Sequence, residues 1–230
     1  MDDTTNQNND RLQIYPRSFH PVVYADARKS FLRTGDIALC RAGSLEGQLI
    51  SFYSGSQYSH ATMLGWAAAD ALMIAETRHH KDARLISLSG EIGQWPGYYD
   101  VYRVRRASFK ADTAWSFMCH AAGAKYDFRH VTRAWLRRRL GPDYIAPIPN
   151  SDKPQWPRDC SALVHAAMRS GKGPKLKAFD CDVIPGDFAD RRYFDYVCTL
   201  FSSIEQIERL SKLLENALPL SIERLKAEGG

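Results

Sequence analysis

No stretch of the chain approaches the roughly 20 consecutive apolar residues that a bilayer span requires, so no transmembrane segment is expected. Met1 to Asp10 is polar and acidic and lacks the basic start and apolar run of a secretory leader. The expected location is therefore cytoplasmic, or outside the cell by a route that reads no such leader. There is no CxxC pair, and the cysteines (Cys40, Cys119, Cys160, Cys181 and Cys198) are odd in number. That argues against a disulfide framework and against a zinc site. No metal and no organic cofactor is expected. Charge of one sign is also scarce in excess: 31 basic and 26 acidic residues leave a net +5. Such a bias excludes a dedicated nucleic-acid binder but suits an anionic surface.

What is present is an ordinary globular composition, 44% hydrophobic and 25% charged over 230 residues. That is enough for one well-filled domain with extensions. Residues 1–10, rich in Asn, Asp and Thr, read as a disordered N-terminus, and residues 11–33 as a lead-in segment. Residues 34–200 hold the domain. Residues 201–230 read as a helical extension, with Ser202 and Glu205 at capping-box spacing ahead of Ile204, Ile207, Leu210 and Leu214.

Within the domain the first half is mostly β. Short strands are expected at 37–40, 60–64, 72–77, 83–88 and 99–104, a helix at 45–53, and a loop at the glycine- and proline-bearing stretch 90–97. The second half is mostly helical, with helices over 111–124, 130–140 and 160–169. The fold class is thus α+β, a small antiparallel sheet or barrel packed on the helix that opens at Cys160.

Cys160 carries the most information. It follows Pro157-Arg158-Asp159 and opens a helix that Asp159 can cap. A thiol at a helix N-terminus faces free backbone N–H groups and the positive end of the macrodipole, which favour thiolate and an oxyanion. His60 begins an apolar strand after a turn-like stretch, where an imidazole can take a thiol proton. Glu76, on the next strand of the hairpin, can orient that imidazole. His79-His80 reads as a solvated turn, His165 as structural, and Arg133, Arg137, Arg138 and Arg139 as a solvated basic helix face. The other four cysteines read as packing residues.

Gly35-Asp36-Ile37, Tyr58-Ser59-His60-Ala61, Gly123 to Phe128, Asp159-Cys160-Ser161-Ala162-Leu163-Val164 and Ile184-Pro185-Gly186-Asp187-Phe188 follow one another in the chain. This series resembles the circularly permuted branch of the NlpC-type, papain-like cysteine peptidases, the YiiX/YaeF-like group. The resemblance covers Thr34 to Tyr196. It implies a permuted papain-like fold with Cys160 as nucleophile, His60 as base, Glu76 as third residue, and Tyr58, Tyr126 and Asp159 beside the substrate. It further implies amide hydrolysis through a thioester, with bacterial cell-wall peptide as substrate and an anionic envelope polymer as partner. Asp-Cys-Ser-Ala stands where many relatives have Tyr-Cys-Ser-Glu. A lipid or thioester acyl hydrolase or acyltransferase, and a binding module without turnover, are the alternatives.

Overall fold

The structure, a computed structural model, describes residues 20–41, 45–68, 71–79, 81–95 and 97–212. The expected disordered N-terminus and most of the C-terminal extension lie outside these residues. Seven strands form one sheet: β1 (Pro21–Val23), β2 (Ile37–Arg41), β3 (Tyr58–Ala68), β4 (Ala71–Arg78), β5 (Lys81–Ser87), β6 (Tyr99–Val104) and β7 (Phe194–Phe201). Their order is β1-β7-β6-β2-β3-β4-β5, and every pairing is antiparallel except β1 with β7. The sheet is open, with β1 and β5 at its edges, and wider than the small sheet or barrel expected.

Period-two alternation along the strands divides the core into two layers. Ile37, Leu39, Ala61, Met63 and Ala75 pack with α4 (Ala111–His120) and α6 (Cys160–Ser170). Ala38, Leu64, Leu72, Ile74 and Val101 pack instead with α1 (Tyr24–Ser30) and α3 (Leu88–Gln94). Gly65 keeps α4 close to β3, because a Cβ there would lie 2.1 Å from the Trp115 ring. α2 (Leu45–Ser54) and α5 (Phe128–Leu140) complete the helices around the site.

Several expectations shift. The stretch 90–97 is helical over its first half. Gly90 and Gly93 belong to α3, which is held by Leu88 and Ile92, buried one turn apart. Residues 20–33 are part of the sheet and its second core layer: β1 pairs with β7, and Tyr24, Ala27 and Leu32 are buried. Residues 204–212 are helical, and the partner of Ser202 is Gln206 rather than Glu205. Arg133, Arg137 and Arg138 are not a bare basic face. They bond the carbonyls of Ala146, Pro142 and Ser54, and Arg137 also pairs with Asp182 at 2.6 Å.

Beneath the site Asp100, fully buried, accepts from Arg41, from the Tyr58 hydroxyl at 2.6 Å and from Thr199 at 2.5 Å. Arg41 is only 3% exposed, so its charge depends on this carboxylate. Asp100→Ala is expected to cost roughly 3–5 kcal/mol, the usual result of leaving one buried ion unpaired. A denaturant titration with unchanged slope reads it directly; a loss under about 1 kcal/mol would show that the network is dispensable.

Candidate active site

The nucleophile candidate sits at the first position of α6, whose middle is wholly buried from Cys160 to Met168. Asp159 caps the helix, its Oδ1 accepting from the Ala162 N–H at 2.8 Å. Its carboxylate also takes the Ser161 N–H. The Cys160 N–H is left without an acceptor among the described residues, so a first-turn donor is free beside the thiol. Cys160 itself is 9% exposed, which is enough to line a cleft.

β3 and β4 deliver the other two residues. In the Met63–Ala75 register Glu76 falls opposite Thr62, diagonal to His60 on the same face of the pair. His60 Nε2 lies 2.8 Å from Glu76 Oε2. Nδ1 is left uncommitted to Glu76, and Cys160 stands close enough to act on the charge of the imidazole. Burial works against the charged imidazole, but Cys160 and Glu76 outweigh it and push the His60 pKa up to about 9. Glu76 is 1% exposed. Burial would raise its pKa, yet His60, Arg78 and Arg84 hold it down at about 2. Arg78 Nε (2.8 Å) and Arg84 (2.6 Å) donate to the two oxygens of this carboxylate. The arrangement can therefore hold a proton on the imidazole beside Cys160, with a carboxylate fixed behind it.

Cys160 separates two lobes of one cleft. The larger, about 600 Å³, runs between α2 and α5 and is walled mainly by aliphatic and aromatic side chains. The smaller, about 300 Å³, holds His60, Thr77, Arg78, His79 and Lys81. Tyr126, half-buried, borders both lobes as expected of a substrate-side residue. Asp159 lines the larger lobe but acts as a cap. Burial pushes its carboxyl up to about 7 against the pull of the Ala162 and Ser161 N–H groups, and Asp127 and Asp180 add to the rise. Tyr58 is not in the cleft. It is 2% exposed, and its hydroxyl bonds Asp100 and Tyr102 beneath the sheet.

His79 is the residue that sequence reasoning undervalued. Placed in the β4–β5 turn, it borders both lobes and packs against the rings of Tyr126 and Phe128. No pattern in the sequence sets it apart from His80 beside it. His165 is structural: the Leu176 N–H donates to its Nε2, so Nδ1 carries the proton and donates to Asp180 at 2.8 Å. The other thiols are unsuited to nucleophilic work. Burial raises the pKa of each, to about 12 for Cys40 and about 11 for Cys181, with Cys119 and Cys198 raised as well. Among the described residues no group of three or more His, Cys, Asp or Glu side chains could hold a metal ion. None of the described helices is long and apolar enough to cross a membrane.

No protein-family model matches the chain, and no curated protein does. Among solved structures it is similar to one described as the metalloprotein yiiX, a DUF1105 protein from Escherichia coli O157:H7. The identity is 18% and the TM-score 0.51, over 74% of this chain and 98% of that one. At that identity the likeness is one of fold: the mixed α+β architecture built on this seven-stranded sheet is similar to that of yiiX.

Proposed function

We propose that the chain is a cysteine hydrolase on a permuted papain-like fold, working through Cys160, His60 and Glu76. The observation that carries this reading is the placement of His60, bonded to a buried carboxylate on one side and facing the helix-terminal thiol on the other. His60 takes the Cys160 proton, and the thiolate attacks a carbonyl carbon. The oxyanion that develops is met by the Cys160 N–H at the α6 terminus. The imidazolium protonates the leaving group as the bond to it breaks, giving a thioester. Water, deprotonated by the same imidazole, then releases the acid and restores the thiol.

Amide cleavage, with bacterial cell-wall peptide as substrate, is what the family resemblance implies for this chemistry. Arg41, Arg78 and Lys81 around the smaller lobe are compatible with an anionic wall polymer. The apolar lining of the larger lobe favours a second reading for the substrate, an acyl hydrolase or acyltransferase.

The test is selective alkylation. Iodoacetamide at neutral pH should label Cys160 ahead of the other four cysteines, as mapped by mass spectrometry. His60→Ala should slow that labelling about tenfold or more, because the thiolate loses its counter-cation. Equal labelling of all five cysteines, or no dependence on His60, would sink the hydrolase reading and leave a binding module.

A further inference from the structure

The wall of the larger lobe is apolar along two helix faces. Leu49 and Ile50 project from α2, and Val131 and Trp135, at helical spacing, project from α5. Val183 and Ile184 close the far side. At about 600 Å³ the space falls inside the roughly 300–1,000 Å³ range of small-molecule sites.

Most polar groups between α2 and α5 already have partners inside the protein, and Ser59 and Ser161 lie at the Cys160 end of the lobe. The Ser54 hydroxyl donates to the Ser51 carbonyl and Thr132 to the Phe128 carbonyl. Arg138 donates to the Ser54 carbonyl, and Asp159 is committed to the α6 cap. A peptide laid between α2 and α5, away from the Cys160 end, would bury most of its amides without partners, which is unfavourable. A hydrocarbon chain has no such requirement, and each methylene that leaves water strengthens binding roughly fourfold.

The rim extends the same character outward. Leu49 and Phe128 are about half exposed at the mouth, and Phe52, one turn along α2 from Leu49, is 79% exposed. The smaller lobe is opposite in kind. Besides its cations it contains Thr77, 1% exposed, whose hydroxyl has no hydrogen-bond partner among the described residues.

We infer that the substrate is an amphiphile: an acyl ester or thioester whose hydrocarbon chain fills the lobe between α2 and α5 while its polar leaving group lies among Thr77, Arg78 and Lys81. The inference rests on the hydrolase reading above and specifies its substrate class. The Cys160 sulfur bonds to the acyl carbon as the carbon–oxygen or carbon–sulfur bond of the substrate breaks. The leaving alcohol or thiol departs with the proton held by His60. Water then cleaves the thioester, returning a proton to the thiol and releasing the fatty acid.

The experiment compares kcat/KM for acetyl, octanoyl and dodecanoyl thioesters of N-acetylcysteamine. In parallel, calorimetry measures dodecanoate binding to Cys160→Ala. The octanoyl-to-acetyl ratio is expected to exceed a hundredfold. Ala134→Phe, which fills the lobe from α5, should lower that ratio at least tenfold, and Leu49→Asp at the exposed mouth should weaken dodecanoate binding at least tenfold. Should Ala134→Phe fail to fold, Leu49→Asp carries the comparison alone. Selective Cys160 labelling with a flat chain-length profile and no dodecanoate binding would overturn the acyl site and leave the hydrolase standing. Dodecanoate binding without labelling or turnover would support the acyl site and overturn the hydrolase.

Discussion

Cys160→Ser should lower turnover roughly ten-thousandfold or more while leaving the fold intact. The substitution exchanges a sulfur for an oxygen in a wall residue, so packing of α6 changes little. The chemistry changes completely. Losing the nucleophile of a covalent mechanism costs about as much as losing the whole catalytic group, since its members act as a unit. Serine needs a far stronger base than an imidazole that is already charged. Because the pKa of His60 stands at about 9, the wild-type site is poised to hold an imidazolium beside Cys160. A hydroxyl offers no comparable partner. Turnover within tenfold of wild type, with an unchanged thermal midpoint, would show that Cys160 is a packing residue.

The second large effect belongs to Glu76→Gln. Glutamine keeps an oxygen that can accept from His60 Nε2 but removes the charge, and activity should fall roughly a hundredfold to ten-thousandfold. The pH profile separates this from a structural loss. The raised pKa of His60 supplies stability that is complete below its ordinary value of 6.5 and is lost as pH rises through about 9. The lowered pKa of Glu76 supplies stability that is complete above its ordinary 4.5 and is lost as pH falls through about 2. The charged pair is therefore whole between about pH 4.5 and 6.5 and still largely in place at neutrality. In wild type the alkaline limb of kcat/KM should lie near pH 9. In Glu76→Gln it should move toward 6.5, because burial then acts on the imidazolium with one opposing charge fewer. An unmoved limb would mean that Glu76 serves Arg78 and Arg84 alone.

The hairpin that aligns His60 with Glu76, and the capped helix that presents Cys160, were legible because each depends on local signals. Short apolar runs mark β3 and β4, and Asp159 before a run of small residues marks the start of α6. What escaped depends on distance. β7 is an ordinary aromatic and β-branched run, yet its role as the neighbour of both β1 and β6 is a long-range pairing that no local pattern encodes. α3 looked like a loop because of Gly90 and Gly93, and tertiary burial of Leu88 and Ile92 overrode that propensity. Tyr58 sits two residues from His60, but the register of β3 against β2 shifts between them, so Tyr58 turns to the layer of Ala61 and Met63, where Asp100 on β6 claims its hydroxyl. The apolar lobe was hidden for another reason. The arginines of α5 dominated its composition, while Phe128, Val131 and Trp135 between them form a continuous face only once the helix is wound.

The pairing of β1 with the end of β7 has a consequence for the order of the chemistry along the chain. Pro21 stands beside Thr199 and Val23 beside Phe201, so the two ends of the described domain meet at one sheet edge. A short linker would close the backbone into a ring. That ring could be reopened in the irregular, surface-lying stretch 141–157 ahead of α6, where little regular hydrogen bonding would be cut. The re-cut chain would run thiol first and imidazole second, with every strand keeping its neighbours. In such a ring the order of Cys160 and His60 would depend only on where the backbone is opened.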